Sequence, residues 1–157
     1  MSKSLKRVRA TLEAAGITPD IRETALARTA QDAATALGCA VDQIAKSIVL
    51  RGEDSGKALL FITAGAQQID LARASALAEE ALGKAEAALI RAQTGFAIGG
   101  VAPVGHITPP RAWFDRSLLK FPLVWAAAGT PHHVFSLDPQ KMAELSDAQV
   151  SDFVEIS

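Results

Sequence analysis

A chain of 157 residues with 49% hydrophobic and 21% charged side chains is long enough to bury a proper core and too apolar to be disordered. Its formal net charge of −1 gives no basic excess of the kind that coats a phosphate backbone, so any contact with nucleic acid is expected to be local. A single cysteine, Cys39, excludes an intrachain disulfide and fits a reducing compartment; lacking a partner motif, it reads as a small buried hydrophobe. Leu5, Val8, Leu12 and Ala15 recur at helical spacing up to Gly16, which predicts an amphipathic first helix. Lys3, Lys6, Arg7 and Arg9 crowd that helix and read as its solvated face. Residues 17–24 look extended, with Pro19 confining them to a sheet edge. Thr29 stands where it would N-cap an alanine-rich helix that closes at Gly38. Thr29 and Ala30 are also candidates to face a pocket.

Two apolar runs, residues 46–51 and 58–64, flank a polar turn bearing Gly52 and Gly56 and predict a hairpin. Both runs are almost continuously apolar, as strands covered on both faces are. Asp70 is expected to cap a helix over 71–82 that Gly83 ends, and a short helix is expected over 88–93. Residues 111–115, 123–127 and 133–137 are strand candidates, the last two joined at Gly129, Thr130 and Pro131, and Asp115 reads as the cap of a turn over 116–119. Asp138 and Pro139 supply an N-cap and an N1 proline for a last helix near 141–145, and a short strand is expected at 153–156. Strands and helices mix without strict alternation, which predicts one α+β, or mixed α/β, domain over residues 1–157. No run approaches the roughly 18 apolar residues of a membrane span, and the basic start lacks the apolar centre of a signal peptide, so the expected location is cytoplasmic.

The chemistry concentrates in residues 94–106, where Gly95, Gly99, Gly100 and Gly105 interrupt two apolar patches. Glycines expose main-chain N–H groups and admit a ligand closely, so the segment is either a turn between elements or a surface of backbone donors. Lys46 is the one cation opening an apolar strand; it is either an anchor for substrate or a strand lysine with its amine in water. The histidines are His106, His132 and His133, the last two adjacent and so aimed to opposite faces of a strand. With Cys39 as the one thiol, no zinc set forms, and neither metal nor cofactor is expected. Lys46-Ser47 lacks the glycine loop of a P-loop, Gly99-Gly100 does not fit a dinucleotide fingerprint, and no Gly-x-Ser-x-Gly elbow occurs. An enzyme built on this chain would work without the usual triad.

Thr29-Ala30, the run Ile44-Ala45-Lys46-Ser47-Ile48-Val49-Leu50, Asp70-Leu71, and Thr94-Gly95-Phe96 leading into Gly99-Gly100-Val101-Ala102-Pro103-Val104-Gly105 follow one another in an order that resembles the YbaK/ProX family. Its members are freestanding aminoacyl-tRNA deacylases related to the editing domain inserted in bacterial prolyl-tRNA synthetases. The likeness runs from about residue 24 to 145. It implies a mixed sheet curled into a barrel-like core with helices around it. It also implies hydrolysis of the ester that joins a wrong small amino acid (Ala, Cys, Ser or Thr) to tRNA, most often tRNA for proline. By the same resemblance Lys46 matches an essential lysine, and Gly99, Gly100 and Pro103 match a glycine–proline loop whose N–H groups, from Gly99 to Val101, would hold the ester carbonyl. His133, on a strand after Gly129, is the counterpart of a pocket histidine, with His132 as the alternative, and His106 would touch the terminal adenosine. The implied partners are the acceptor end of a mischarged tRNA and a prolyl-tRNA synthetase or elongation factor that delivers it. Two other classes stay open: a non-catalytic nucleic-acid module, which the charge of −1 and the absence of tyrosine disfavour, and a small-molecule ester hydrolase or binder.

Overall fold

The computed structural model describes residues 2–25, 27 and 29–156. Helix α1, Lys3–Ala14, starts where the Ser2 side chain accepts from the Leu5 N–H and buries Leu5, Val8 and Leu12 along one face. Strand β1, Asp20–Glu23, follows Pro19 and lies at a sheet edge, as the proline requires. Helix α2, Ala30–Leu37, is capped by Thr29, whose hydroxyl accepts from the Asp32 N–H, and ends at Gly38. After a 3-10 turn at Val41–Gln43 come β2, Ala45–Gly52, and β3, Ala58–Ala64, the expected hairpin.

Helix α3, Leu71–Ala78, is capped by Asp70 but stops four residues before the predicted end. Glu79 turns left-handed at φ 61°, and Leu82–Lys84 leaves the helix to form strand β4 on the edge of β2. Helix α4, Ala87–Thr94, ends at Gly95. Strand β5 is Ala112–Asp115, followed by a 3-10 turn at Arg116–Lys120 capped by Asp115. Strands β6, Val124–Thr130, and β7, His133–Leu137, pair with a register shift between Ala127 and Thr130. Helix α5, Pro139–Leu145, begins at Asp138, and strand β8 is Ala148–Ser151. The expected strand at 153–156 is absent; Val154 makes one isolated bridge to Ile69, and Phe153 is instead a buried core side chain.

The strands form two sheets. One has the order β1-β7-β6, all antiparallel; the other has the order β4-β2-β3-β5-β8, with β3–β5 and β5–β8 parallel. A parallel bridge between Ile44 and Trp125 joins them among the described residues, so the mixed α/β class holds while no closed barrel forms. Every residue of β3 is buried because both faces are covered. Leu60 and Ile62 face a core shared with α1 and β6, whereas Leu59 and Phe61 pack with Trp113, Phe153 and α3. Phe61 stacks on Trp113 with ring centroids 4.8 Å apart. A third cluster, Ala34, Ile44 and Trp125, sits beneath α2. No helix among the described residues is long and apolar enough to cross a membrane.

Candidate functional site

A cavity of about 640 Å³ opens where the start of β2 meets the three-stranded sheet. Its apolar wall comes from Ala30, Ala33 and Ala126 together with the larger Ile44 and Trp125, and its polar wall includes Lys46, Ser47 and His133. Such a mix of a snug apolar surface and a few fixed polar groups is the ordinary make-up of a site for a small ligand group.

Lys46 is the second residue of β2. Its Nζ donates to the Gly65 carbonyl at 3.1 Å and to the Gln67 carbonyl at 2.7 Å, so two of three ammonium hydrogens are held by the loop after β3. That loop is pinned in turn. Asp42 accepts from the Ala66 N–H at 2.9 Å, and buried Asp115 accepts from the Ala64 N–H at 3.0 Å. Gly65 lies so close to the Val41 carbonyl that a Cβ there would overlap it, so the loop reaches Lys46 only with glycine at this point. Burial pushes the Lys46 ammonium below its ordinary 10.5, opposed by the negative charges of Asp42 and Asp115. The neighbouring Ser47 hydroxyl is buried with no hydrogen-bond partner among the described residues.

The glycine loop borders the same cavity as Lys46. Gly100 N–H donates to Ala97 O at 3.0 Å, closing a β-turn in which Gly99, at φ 89°, holds the position that demands glycine. Gly100 packs directly on the Thr130 backbone, seating the loop against the β6–β7 turn. Gly99 and Val101 line the cavity, and neither N–H has a hydrogen-bond acceptor among the described residues. The N–H of Gly100, by contrast, is spent within the turn.

His133 lines the cavity at the start of β7, its Nδ1 2.7 Å from the Thr130 hydroxyl and its Nε2 3.6 Å from a Glu23 carboxylate oxygen. The same hydroxyl accepts from the His132 N–H, while the His132 side chain is exposed in the turn. Thr29 and Ala30, at the start of α2, also border the cavity. Lys46, Gly99, Val101, Thr29, Ala30 and His133 therefore surround one hollow. Gly100, Pro103, His106 and Gly129 do not border it. Pro103 is buried; His106 hydrogen-bonds Ala102 O at 2.6 Å and meets the Phe96 ring edge-on; Gly129 backs onto α1, with its carbonyl accepting from the Ser4 hydroxyl at 2.8 Å.

Residues 24–145 match the family model of the aminoacyl-tRNA editing domain. The chain belongs to that family. The editing domain is 31% identical over 122 residues to an uncharacterized protein, YwhH, of Bacillus subtilis (strain 168), covering 78% of this chain and 77% of that one. It superposes with a TM-score of 0.91, at 44% identity and 99% coverage of both chains, on the crystal structure of a protein put forward as a trans-editing enzyme for prolyl-tRNA synthetase. The hypothetical protein APE2540 is similar at 25% identity and a TM-score of 0.86, covering 95% of this chain and 99% of its own.

Sequence reasoning missed the carbonyls that hold Lys46, because a main-chain acceptor leaves no side-chain signature. The available signal was Gly65 itself, a glycine directly after a strand that is apolar but for Thr63. It also missed Trp125 and Thr130, whose roles come from the bridge to Ile44 and from the turn geometry.

Proposed function

We propose that this editing domain hydrolyses, in trans, the ester between a small mischarged amino acid (alanine, cysteine, serine or threonine) and the terminal ribose of tRNA, with tRNA for proline as its preferred substrate. The observation that supports it is one hollow bordered by a doubly anchored lysine and by two main-chain N–H groups that have no acceptor among the described residues. An aminoacyl ester is already activated, so the protein has to orient it and stabilise the oxyanion. Water attacks the carbonyl carbon, and the neighbouring ribose hydroxyl assists its deprotonation. The carbon–oxygen bond to the ribose then breaks, the departing oxygen takes up the proton, and free amino acid and tRNA leave.

Gly99 and Val101 are the donors to the carbonyl oxygen in this reading, a contribution of about 3 kcal/mol each in comparable sites. Lys46 acts as an anchor. With two hydrogens fixed on Gly65 and Gln67, its third has no acceptor among the described residues and holds a phosphate or ribose oxygen of the acceptor end in this reading. The small apolar wall favours short side chains, where a difference of one methylene is worth only about 1–3 kcal/mol in the first selection and a second sieve is needed. A net charge of −1 offers the tRNA body little attraction, so delivery by a prolyl-tRNA synthetase or an elongation factor, in the cytoplasm, completes the proposal.

The test is a panel of tRNAs charged with alanine, cysteine, serine, threonine or proline, run beside free aminoacyl esters. The expected outcome is release of the small non-cognate amino acids with the polynucleotide required, and a loss of about 100-fold or more in Lys46→Ala, which stays folded but melts lower because the Gly65 and Gln67 carbonyls lose their donor. Equal hydrolysis of free esters would point to a small-molecule hydrolase, and full activity in Lys46→Ala would remove the lysine from the site.

A further inference from the structure

The first 23 residues lie outside the segment that matches the editing-domain model, yet α1 reaches the walls of the cavity from behind. Residues 95–106 leave the end of α4 and return to it, since Ile107 N–H donates to Thr94 O and Thr108 N–H to Gln93 O. Beside the apolar face that α1 packs against this excursion, it sends a cation into the excursion's base. Arg7 Nε donates to Gly105 O at 2.6 Å, its Nη2 donates to Gly95 O at 3.1 Å, and its guanidinium lies 4.7 Å from the centroid of the Phe96 ring. Both ends of the loop are thus tied to one planar cation. One turn earlier on α1, Ser4 donates to Gly129 O, directly before Thr130, on whose backbone Gly100 rests. The helix therefore braces both the glycine loop and the β6–β7 turn, the two parts that present Gly99, Val101 and His133 to the cavity.

We infer that Arg7 is a positioning residue for the proposed deacylation, acting as a clasp that holds the loop bearing Gly99 and Val101 at its working distance from Lys46. This rests on the editing reading above for its catalytic half; the clasp itself does not. Arg7 does not border the cavity, so it acts through the loop and not on the substrate. A lysine in its place keeps the charge but has no planar fork to span two carbonyls and stack on a ring at once.

Arg7→Lys and Arg7→Ala are compared with the wild type in amide hydrogen exchange and in steady-state deacylation. The expected result for Arg7→Lys is faster exchange confined to residues 95–106, a fall in kcat approaching 100-fold, the scale of a misplacement of about 1 Å, and a KM changed less than twofold. In Arg7→Ala, guanidinium ion at concentrations well below denaturing restores kcat where equal sodium chloride does not. Exchange and kcat both at the wild-type level would overturn the inference. So would loosening spread evenly over the fold, a rise in KM alone, or a loosened loop with kcat intact. Should the wild type cleave none of the charged tRNAs while Arg7→Lys still loosens the loop selectively, the clasp stands and the editing reading falls.

Discussion

Gly99 and Gly100 are neighbours with opposite reasons for being glycine. At Gly99 an added Cβ has room, its nearest neighbour being Pro131 at 4.0 Å, but φ is 89°; at Gly100 the Thr130 backbone stands 2.8–3.1 Å from where the Cβ would be. The two alanine variants should therefore fail differently. Gly99→Ala is expected to cost about 1–3 kcal/mol of backbone strain, read as a lower melting temperature. Gly100→Ala has to push the loop off the β6–β7 turn, an overpacking cost of similar size, and it displaces the Gly99 and Val101 amides as it does so. At matched stability loss, Gly100→Ala should show the larger drop in kcat, and equal kcat in the two would argue that loop position is immaterial. The same contrast marks the limit of reading residues from sequence. A dense run of glycines was visible; that one is a turn residue, one a packing contact and one, Gly95, the end of a helix depends on neighbours far away in the chain.

Among the elements, those specified by local signals were legible and those specified by distant partners were not. The β2–β3 hairpin and the capped starts of α2, α3 and α5 follow from patterning and from Thr29, Asp70 and Asp138. The early end of α3 did not, because Leu82–Lys84 is drawn off by pairing with β2, and neither did β8, whose parallel partner β5 lies more than thirty residues earlier. The basic stretch of α1 divides in the same way: Lys3 and Lys6 are exposed as expected, while Arg7 turns inward to a loop that no local pattern reveals. For the site, Lys46 and the glycine loop stood out as residue types out of keeping with their surroundings, and their juxtaposition came from the family resemblance. Helix α2 carries a prediction at this scale, since its first turn borders the cavity and hangs on one cap, the Thr29 hydroxyl accepting from Asp32 N–H at 3.1 Å. Thr29→Ala should cost about 1 kcal/mol and fray that turn, and Thr29→Ser should restore it. The frayed wall widens the pocket, so Thr29→Ala is expected to narrow the ratio of rates on alanyl- and prolyl-tRNA, which paired deacylation assays measure.

At the scale of the whole molecule the histidine behind the glycine loop is expected to make folding sensitive to acid. His106 donates from Nε2 to Ala102 O, packs edge-on against the Phe96 ring that Arg7 covers, and leaves Nδ1 buried without a partner among the described residues. A second proton would have to sit on that nitrogen, away from water and near the Arg7 charge. Burial, with Arg7 adding to it, accordingly holds the imidazole below its ordinary 6.5, although the bond to Ala102 works the other way. In the unfolded chain the ring protonates near 6.5, and in the folded chain only at lower pH, so across that interval the unfolded state binds more protons. Stability from this group is then complete above the unfolded value and declines as pH falls through the interval. Denaturant midpoints taken from pH 7.5 down to 5 should decrease in the wild type, and the decrease should be shallower in His106→Gln, whose amide keeps a donor toward Ala102 but does not titrate. Because the histidine props the same loop that Arg7 ties, acid should loosen residues 95–106 before the five-stranded sheet, and hydrogen exchange measured at two pH values distinguishes that order from uniform weakening. Parallel pH profiles in the two proteins would mean that acid acts elsewhere in the fold.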